Sequence, residues 1–208
     1  MRGTCGRLIG GRPRLRPPAG PATLIIVRVS GIVLRSRWLF VRERGKLAEA
    51  QVLAALPEDL RAVLPAALET RWYPFEFFTI ITETIDRVLG TGDLALAYEM
   101  GRFNCDHSLT TVMRLVFKFG NVGWLLDRAA KAWDTQYDEG EMRVVRKVVG
   151  EEVVLELHGH PSPSRAQCLG IKGWMVRAAE VSGEDRVTCD ELCRAAGDAV
   201  CRWTFRWR

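Results

Sequence analysis

At the C-terminal end, polar and apolar positions alternate strictly. Cys201, Trp203, Phe205 and Trp207 are interleaved with Arg202, Thr204, Arg206 and Arg208, the period of two that sends successive side chains to opposite faces of a strand. Before it, Val187, Cys189, Glu191 and Cys193 share one face of another extended segment, and Gly197-Asp198 is a dipeptide that reverses the chain. The pattern predicts a hairpin with one face in the core and one in water. Just upstream the period becomes helical. Leu169, Ile171, Trp174, Met175 and Ala178 supply the apolar surface of a helix. Ser162 or Ser164 caps it, Pro163 suits its first turn and Gly183 ends it.

From the other end, Val27–Gly31 predicts a strand and Ile32–Arg44 a helix that brings Val33, Arg37, Phe40 and Val41 near one another. Ala48–Leu56 and Pro57–Leu64 read as short helices, and Pro74–Leu89 as a buried one with Phe75, Phe78, Thr82, Ile85 and Leu89 on its apolar side, stopped by Gly90-Thr-Gly92. Asp93–Cys105, Leu109–Phe119 and Val122–Tyr137, the last capped by Asn121, complete the helices. Met142–Val149 and Val153–Leu157, joined across Gly150-Glu151, form a hairpin. The fold class is therefore α+β: an N-terminal helical half followed by an antiparallel sheet crossed by one helix.

A length of 208 residues, with 48% hydrophobic and 26% charged content, suits a single globular domain, placed here at residues 26–208. The net charge of +5 conceals an asymmetry: residues 1–46 carry +10 and residues 47–208 carry −5. Residues 1–25, rich in Arg, Gly and Pro, are expected to be disordered as a solvated tail, a transit peptide or a start-site extension. That tail has no Lys and no aromatic to stack a base, so no nucleic-acid partner is expected. Ala22–Leu34 is the most apolar run, yet it is thirteen residues long and holds Arg28, short of the roughly 20 that span a bilayer. Six cysteines without a secretory signal point to a reducing cytoplasm.

The turn of the last hairpin brings Cys193 and Cys201 together, and the helix bearing Cys168 can cross the same end of the sheet, so three sulfurs can converge. Thiolates suit zinc, and His158, His160, Cys189 and Glu191 are nearby candidates for a fourth ligand. The alternative is that the cysteines pack as small buried hydrophobes. Cys168, then Cys193, Gly197, Asp198 and Cys201 in the pattern C-x3-G-D-x2-C, followed by an aromatic strand, resemble the 4-vinyl reductase domain family. Domains similar to it form a superfamily with haem-dependent nitric-oxide sensors, aromatic-sensing modules of bacterial activators and Golgi transport subunits. The resemblance implies a ligand pocket between helices and sheet. In some relatives it implies zinc held by these three cysteines and a glutamate three residues before the first. Here that position is Arg165, which cannot ligate a metal. A zinc site here would need His160, Cys189 or water in place of that glutamate, and zinc as a cofactor is assigned to Cys168, Cys193, Cys201 and His160.

The aromatic residues Trp72, Phe75, Phe78, Trp124 and Trp133 are candidate lining for an apolar small molecule, although aromatics at helical spacing also fill cores. Haem is not expected: the Tyr-x-Ser-x-Arg motif of the haem sensors is absent, and His107 reads as a surface or capping residue. No catalytic constellation and no dinucleotide-binding motif appear. The function expected is a small-molecule-binding sensor or regulatory domain with an apolar pocket. A tetrapyrrole-synthesis accessory enzyme and a protein-interaction scaffold are the alternatives. A homodimer or partner protein would carry any signal.

Overall fold

In the computed structural model, residues 26–108, 122–184 and 186–207 are described. Strand β1 (Arg28–Ser30) pairs antiparallel with β2 (Trp72–Pro74) and leads straight into helix α1 (Gly31–Arg42), capped by the Ser30 hydroxyl, which accepts from the Ile32 N–H. Helices α2 (Lys46–Ala55), α3 (Glu58–Ala66), α4 (Phe75–Leu89), α5 (Ala95–Ser108) and α6 (Val122–Lys131) follow. Strands β3 (Glu141–Val148) and β4 (Glu152–His158), helix α7 (Arg165–Val181), and strands β5 (Thr188–Leu192) and β6 (Cys201–Arg206) complete the order. The four later strands form one antiparallel sheet in the order β3-β4-β6-β5. This is the α+β arrangement that the sequence pattern predicts. Among the described residues no helix is long and apolar enough to cross a membrane.

One strand is added and one predicted boundary moves, each for a hydrogen-bonding reason. Trp72–Pro74 form β2 just before α4, because the Gly31 and Phe75 N–H groups donate to Arg71 O at 2.7 Å and Val27 O at 2.9 Å. The helix expected through Tyr137 stops at Lys131 and is followed by a 3-10 turn at Trp133–Thr135. Tyr137 instead bridges to Val29, with the Ser30 N–H on Gln136 O at 2.8 Å. The Arg/Gly/Pro-rich stretch 1–25, the helix expected over Leu109–Phe119 and the Asn121 cap lie outside the described residues.

α7 begins where Ser164 accepts from the Gln167 N–H at 3.1 Å and ends before Gly183, whose φ of +99° suits glycine. It lies on the inner face of the sheet, and the Trp203 indole of β6 donates to Cys168 O at 3.1 Å. Its other side meets α5 almost backbone to backbone. A Cβ on Gly101 would sit 2.1 Å from Gly170 O, and one on Gly173 2.0 Å from Tyr98 O. Charge matching flanks this seam: Arg102 binds both carboxylate oxygens of Glu180 at 2.8 Å, and Arg177 reaches Asp106 at 3.0 Å. Asp86, fully buried on α4, accepts from the Leu94 and Leu96 N–H groups at 2.8 Å each and so caps the entry to α5.

His158 and His160 do not point the same way, as strict strand alternation predicts. Gly159 at φ +69° ends the strand, His158 stays half-exposed beside Glu156 at 2.9 Å, and His160 turns into the core against Phe75 and Trp133. Neither ring nitrogen of His160 has a hydrogen-bond partner among the described residues. Burial, and then the charge of Arg194, lower its pKa from 6.5 to about 4, with Asp138 opposing.

The helix seam and the buried histidine each make a measurable difference to stability. Gly101→Ala and Gly173→Ala each meet rigid backbone and are expected to cost about 3 kcal/mol in urea unfolding. Gly170→Ala, whose new Cβ would meet the movable end of Arg37 at 3.3 Å, is expected to cost about 1 kcal/mol. For His160 the folded pKa lies below the unfolded one. Its contribution is therefore complete above pH 6.5 and lost as pH falls towards 4. The stability difference between wild type and His160→Gln should shrink by about 3 kcal/mol across that window in pH-dependent denaturation.

Candidate functional site

Cys168 sits in the first turn of α7, Cys193 at the end of β5 and Cys201 at the start of β6. The connection from Cys193 to Cys201 is a tight knuckle. Asp198 accepts from the Cys193 N–H at 2.7 Å, the Ala196 N–H donates to Cys193 O at 2.8 Å, and Gly197 adopts φ +100°. All three thiols are buried, and their sulfurs lie within 4.8 Å of one another. Cys168 and Cys201 are 3.7 Å apart. That is too far for a disulfide and close to the separation of about 3.8 Å that two thiolates take on one tetrahedral zinc.

Electrostatics favour a thiolate at Cys193. Hydrogen bonds from Cys168, Cys201, the Ala195 backbone and Arg165 depress its pKa, while Cys168, which donates to Cys193 and Cys201, is pushed far up. The Arg194 N–H points at the Cys201 sulfur at 3.4 Å. Arg165 pairs with Glu191, whose side chain is 3% exposed and whose second oxygen lacks a partner among the described residues. Burial raises the pKa of Glu191, against the pull of Arg165. Cys189 lies outside the trio and burial pushes its thiol up to about 12. His160, expected as the fourth ligand, is not part of the group; its imidazole is committed to the aromatic packing of Phe75 and Trp133.

A second feature lies further along α7. A cavity of about 80 Å³ opens between α1, α5, α7 and the segment from Ala132 to Met142. Val33 and Arg37 line it from α1, Gly101 and Asn104 from α5, and Gly170, Ile171, Trp174 and Met175 from α7. Trp133, Gln136, Tyr137 and Met142 close it. Trp133 stacks on Tyr137 at 4.3 Å, and burial raises the Tyr137 phenol to about 12 despite the nearby Arg37 charge.

Of the aromatic residues expected at a pocket, only Trp133 lines this cavity. Phe78 is buried beneath Arg37, with the guanidinium 4.7 Å from its ring centre, and Phe75 packs 5.5 Å from Phe78 and against His160. Trp72 and Trp124 are exposed at 41% and 36%: one sits on β2, the other beneath Arg128 on α6. The lining residues that pattern reading passed over are Arg37, Asn104, Tyr137 and Trp174. The signal for Arg37 was its place on the apolar stripe of α1 between Val33 and Val41. His107 stacks on Phe103 and contacts Glu43 at 3.0 Å, away from the cavity lining.

No family model matches the sequence, and no curated protein matches it. Solved structures do match. An H-NOX protein from S. oneidensis in the Fe(II)NO ligation state superposes with a TM-score of 0.64 at 13% identity, over 86% of this chain and 99% of that one. A mutant of the H-NOX protein from K. algicida, in the Fe(II) unliganded state, gives 0.64 at 11%, over 86% and 96%. A structure described as probing haem distortion in the H-NOX family gives 0.60 at 12%, over 86% and 94%. None of these matches speaks for the 4-vinyl reductase family itself. They correct the expectation that haem has no place here, because the architecture is shared with proteins described by their haem. A missing motif does not remove a fold's capacity for a cofactor. The described residues meet such a group only incompletely. An iron at the cavity would take a ligand from Tyr137, Met142 or Met175, since no described histidine lines it. What the comparisons establish is architecture: this chain has the α+β fold of the H-NOX domains.

Proposed function

We propose that this protein is a small-molecule-binding sensor or regulatory domain that holds its ligand between the helical half and the sheet. The observation that carries the reading is the cavity itself, where α1, α5 and α7 meet a partly polar lining. A ligand there would touch both halves of the fold, and a change in occupancy would alter how α1 and α5 seat on α7. One H-NOX protein that shares the fold is described in an Fe(II)NO ligation state and another as Fe(II) unliganded. That supports a diatomic or small-molecule ligand for this architecture.

We also assign Cys168, Cys193 and Cys201 as a structural zinc–thiolate centre that ties the first turn of α7 to the β5–β6 knuckle. The sulfur spacing and the N–H···S bond from Arg194 support it. Glu191, buried and half unpartnered, is the fourth donor in this reading, released from Arg165 when the metal binds. Arg165 then remains beside Cys193 and offsets part of the negative charge of the ligand set. The cysteine constellation remains the basis for grouping the chain with 4-vinyl reductase domains.

Native mass spectrometry and elemental analysis of freshly purified protein test both assignments. One zinc per chain is expected, lost in Cys193→Ala and Cys201→Ala and weakened in Glu191→Gln, while His160→Gln retains it. Full zinc in Cys193→Ala would remove the thiolate centre from the reading. A retained organic mass, or a haem absorption band, would identify the class of sensor. Protein that binds neither a retained molecule nor added haem or nitric oxide would count against the sensor reading.

A further inference from the structure

The cavity contains a charge that no described carboxylate matches. Arg37 is 3% exposed, and among the described residues its guanidinium makes one side-chain hydrogen bond, from Nη1 to the Ser36 hydroxyl at 3.0 Å. That hydroxyl is neutral and donates onward to Val33 O at 2.8 Å. The rest of the group lies over the Phe78 ring, and Nε has no hydrogen-bond partner among the described residues. Burial lowers the Arg37 pKa only to about 10, so it remains a cation at neutral pH. Elsewhere in the interior seam, Arg102 and Arg177 are matched by Glu180 and Asp106. No described carboxylate pairs with Arg37. The stretches 1–25 and 109–121 contain no Asp or Glu at all, which leaves only Asp185 among residues whose placement is not described. An isolated buried cation is strongly unfavourable unless something supplies the missing charge.

We propose that the missing charge belongs to the ligand: the cavity takes a small organic acid whose carboxylate pairs with Arg37 and accepts from the Tyr137 hydroxyl, with its apolar body against Trp133, Trp174 and Met175. The inference rests on the small-molecule reading above and names the chemical class of that molecule. Arginine offers a planar fork suited to a carboxylate. Asn104, buried on α5, adds a neutral donor to the same wall. The two indoles and the thioethers of Met142 and Met175 suit a flat or short apolar body better than a fully hydrated inorganic anion. About 80 Å³ is several times the ~15 Å³ that one water requires and about half the ~150 Å³ of a cavity that takes up benzene, which suits a short-chain acid enclosed whole or a single-ring acid enclosed in part. Gly170 is part of the device, since a side chain there would crowd the Arg37 Nη2 at 3.3 Å.

The test compares matched pairs on the full chain: benzoate with benzamide, and butyrate with butanamide, by calorimetric titration and thermal unfolding, with inorganic phosphate as a third probe. The acids are expected to bind at least about tenfold more tightly than the amides and to raise the unfolding temperature. Arg37→Met is expected to erase that preference and, without ligand, to unfold at a higher temperature than wild type because the unpaired charge is gone. Amides that bind as well as acids, a preference that survives Arg37→Met, or phosphate that binds as well as benzoate would each overturn the carboxylate assignment and leave a small-molecule site standing. Binding of none of the five probes, with saturation by haem or nitric oxide instead, would overturn the assignment and keep the sensor reading; binding of nothing at all would sink both. Should Arg37→Met fail to fold, the acid–amide comparison on wild type decides alone.

Discussion

The close approach of α5 and α7 is the constraint on which the rest of the molecule depends. Gly101 and Gly173 remove the side chains that would hold the two helices apart, so their backbones meet and the helical half seats directly on the helix that covers the sheet. Short interhelical distance strengthens dispersion contacts along the seam. It also lets Arg102–Glu180 and Arg177–Asp106 close over it. Because Gly101 and Gly170 also face the cavity, the same contact sets its depth.

α7 is therefore a shared wall. Its N-terminal turn carries Cys168 and Arg165 towards the β5–β6 knuckle, while Gly170, Trp174 and Met175 further along face the cavity. Anything that shifts the first turn of α7 acts on a helix whose middle lines the cavity. The Trp203 indole bonded to Cys168 O and the buried run of Cys201, Trp203 and Phe205 lock that turn to the sheet. The thiols thus lie at the first turn of this wall and the cavity along its middle.

The molecule leaves several buried polar atoms without protein partners among the described residues: Arg37 Nε, both nitrogens of His160 and the amide of Gln167. They lie around Tyr137 and Phe78, where α1, α4, α7 and the Trp133 turn converge. Unpaired buried polar groups cost stability and are uncommon in native cores. Of these residues only Arg37 lines the cavity; His160 and Gln167 are buried outside its lining.

Local pattern was enough for most elements and for two of the three clustered sulfurs. The alternation from Cys201 to Trp207, the Gly197-Asp198 reversal and the Ser164 cap are short-range features whose physics acts within a few residues. A hairpin forces Cys193 and Cys201 together, so two of the three thiols were placed by sequence separation alone. Tertiary structure decided the rest. Aromatic residues carry no mark saying which way a helix will face, so Trp72 and Trp124 emerge outward, Phe75 and Phe78 fill the core, and only Trp133 reaches the cavity. Gly159 broke the alternation that would have sent His160 alongside His158. Arg37 could be seen on an apolar stripe, but whether a carboxylate would meet it depends on which distant segments pack there, and that is information no local pattern contains.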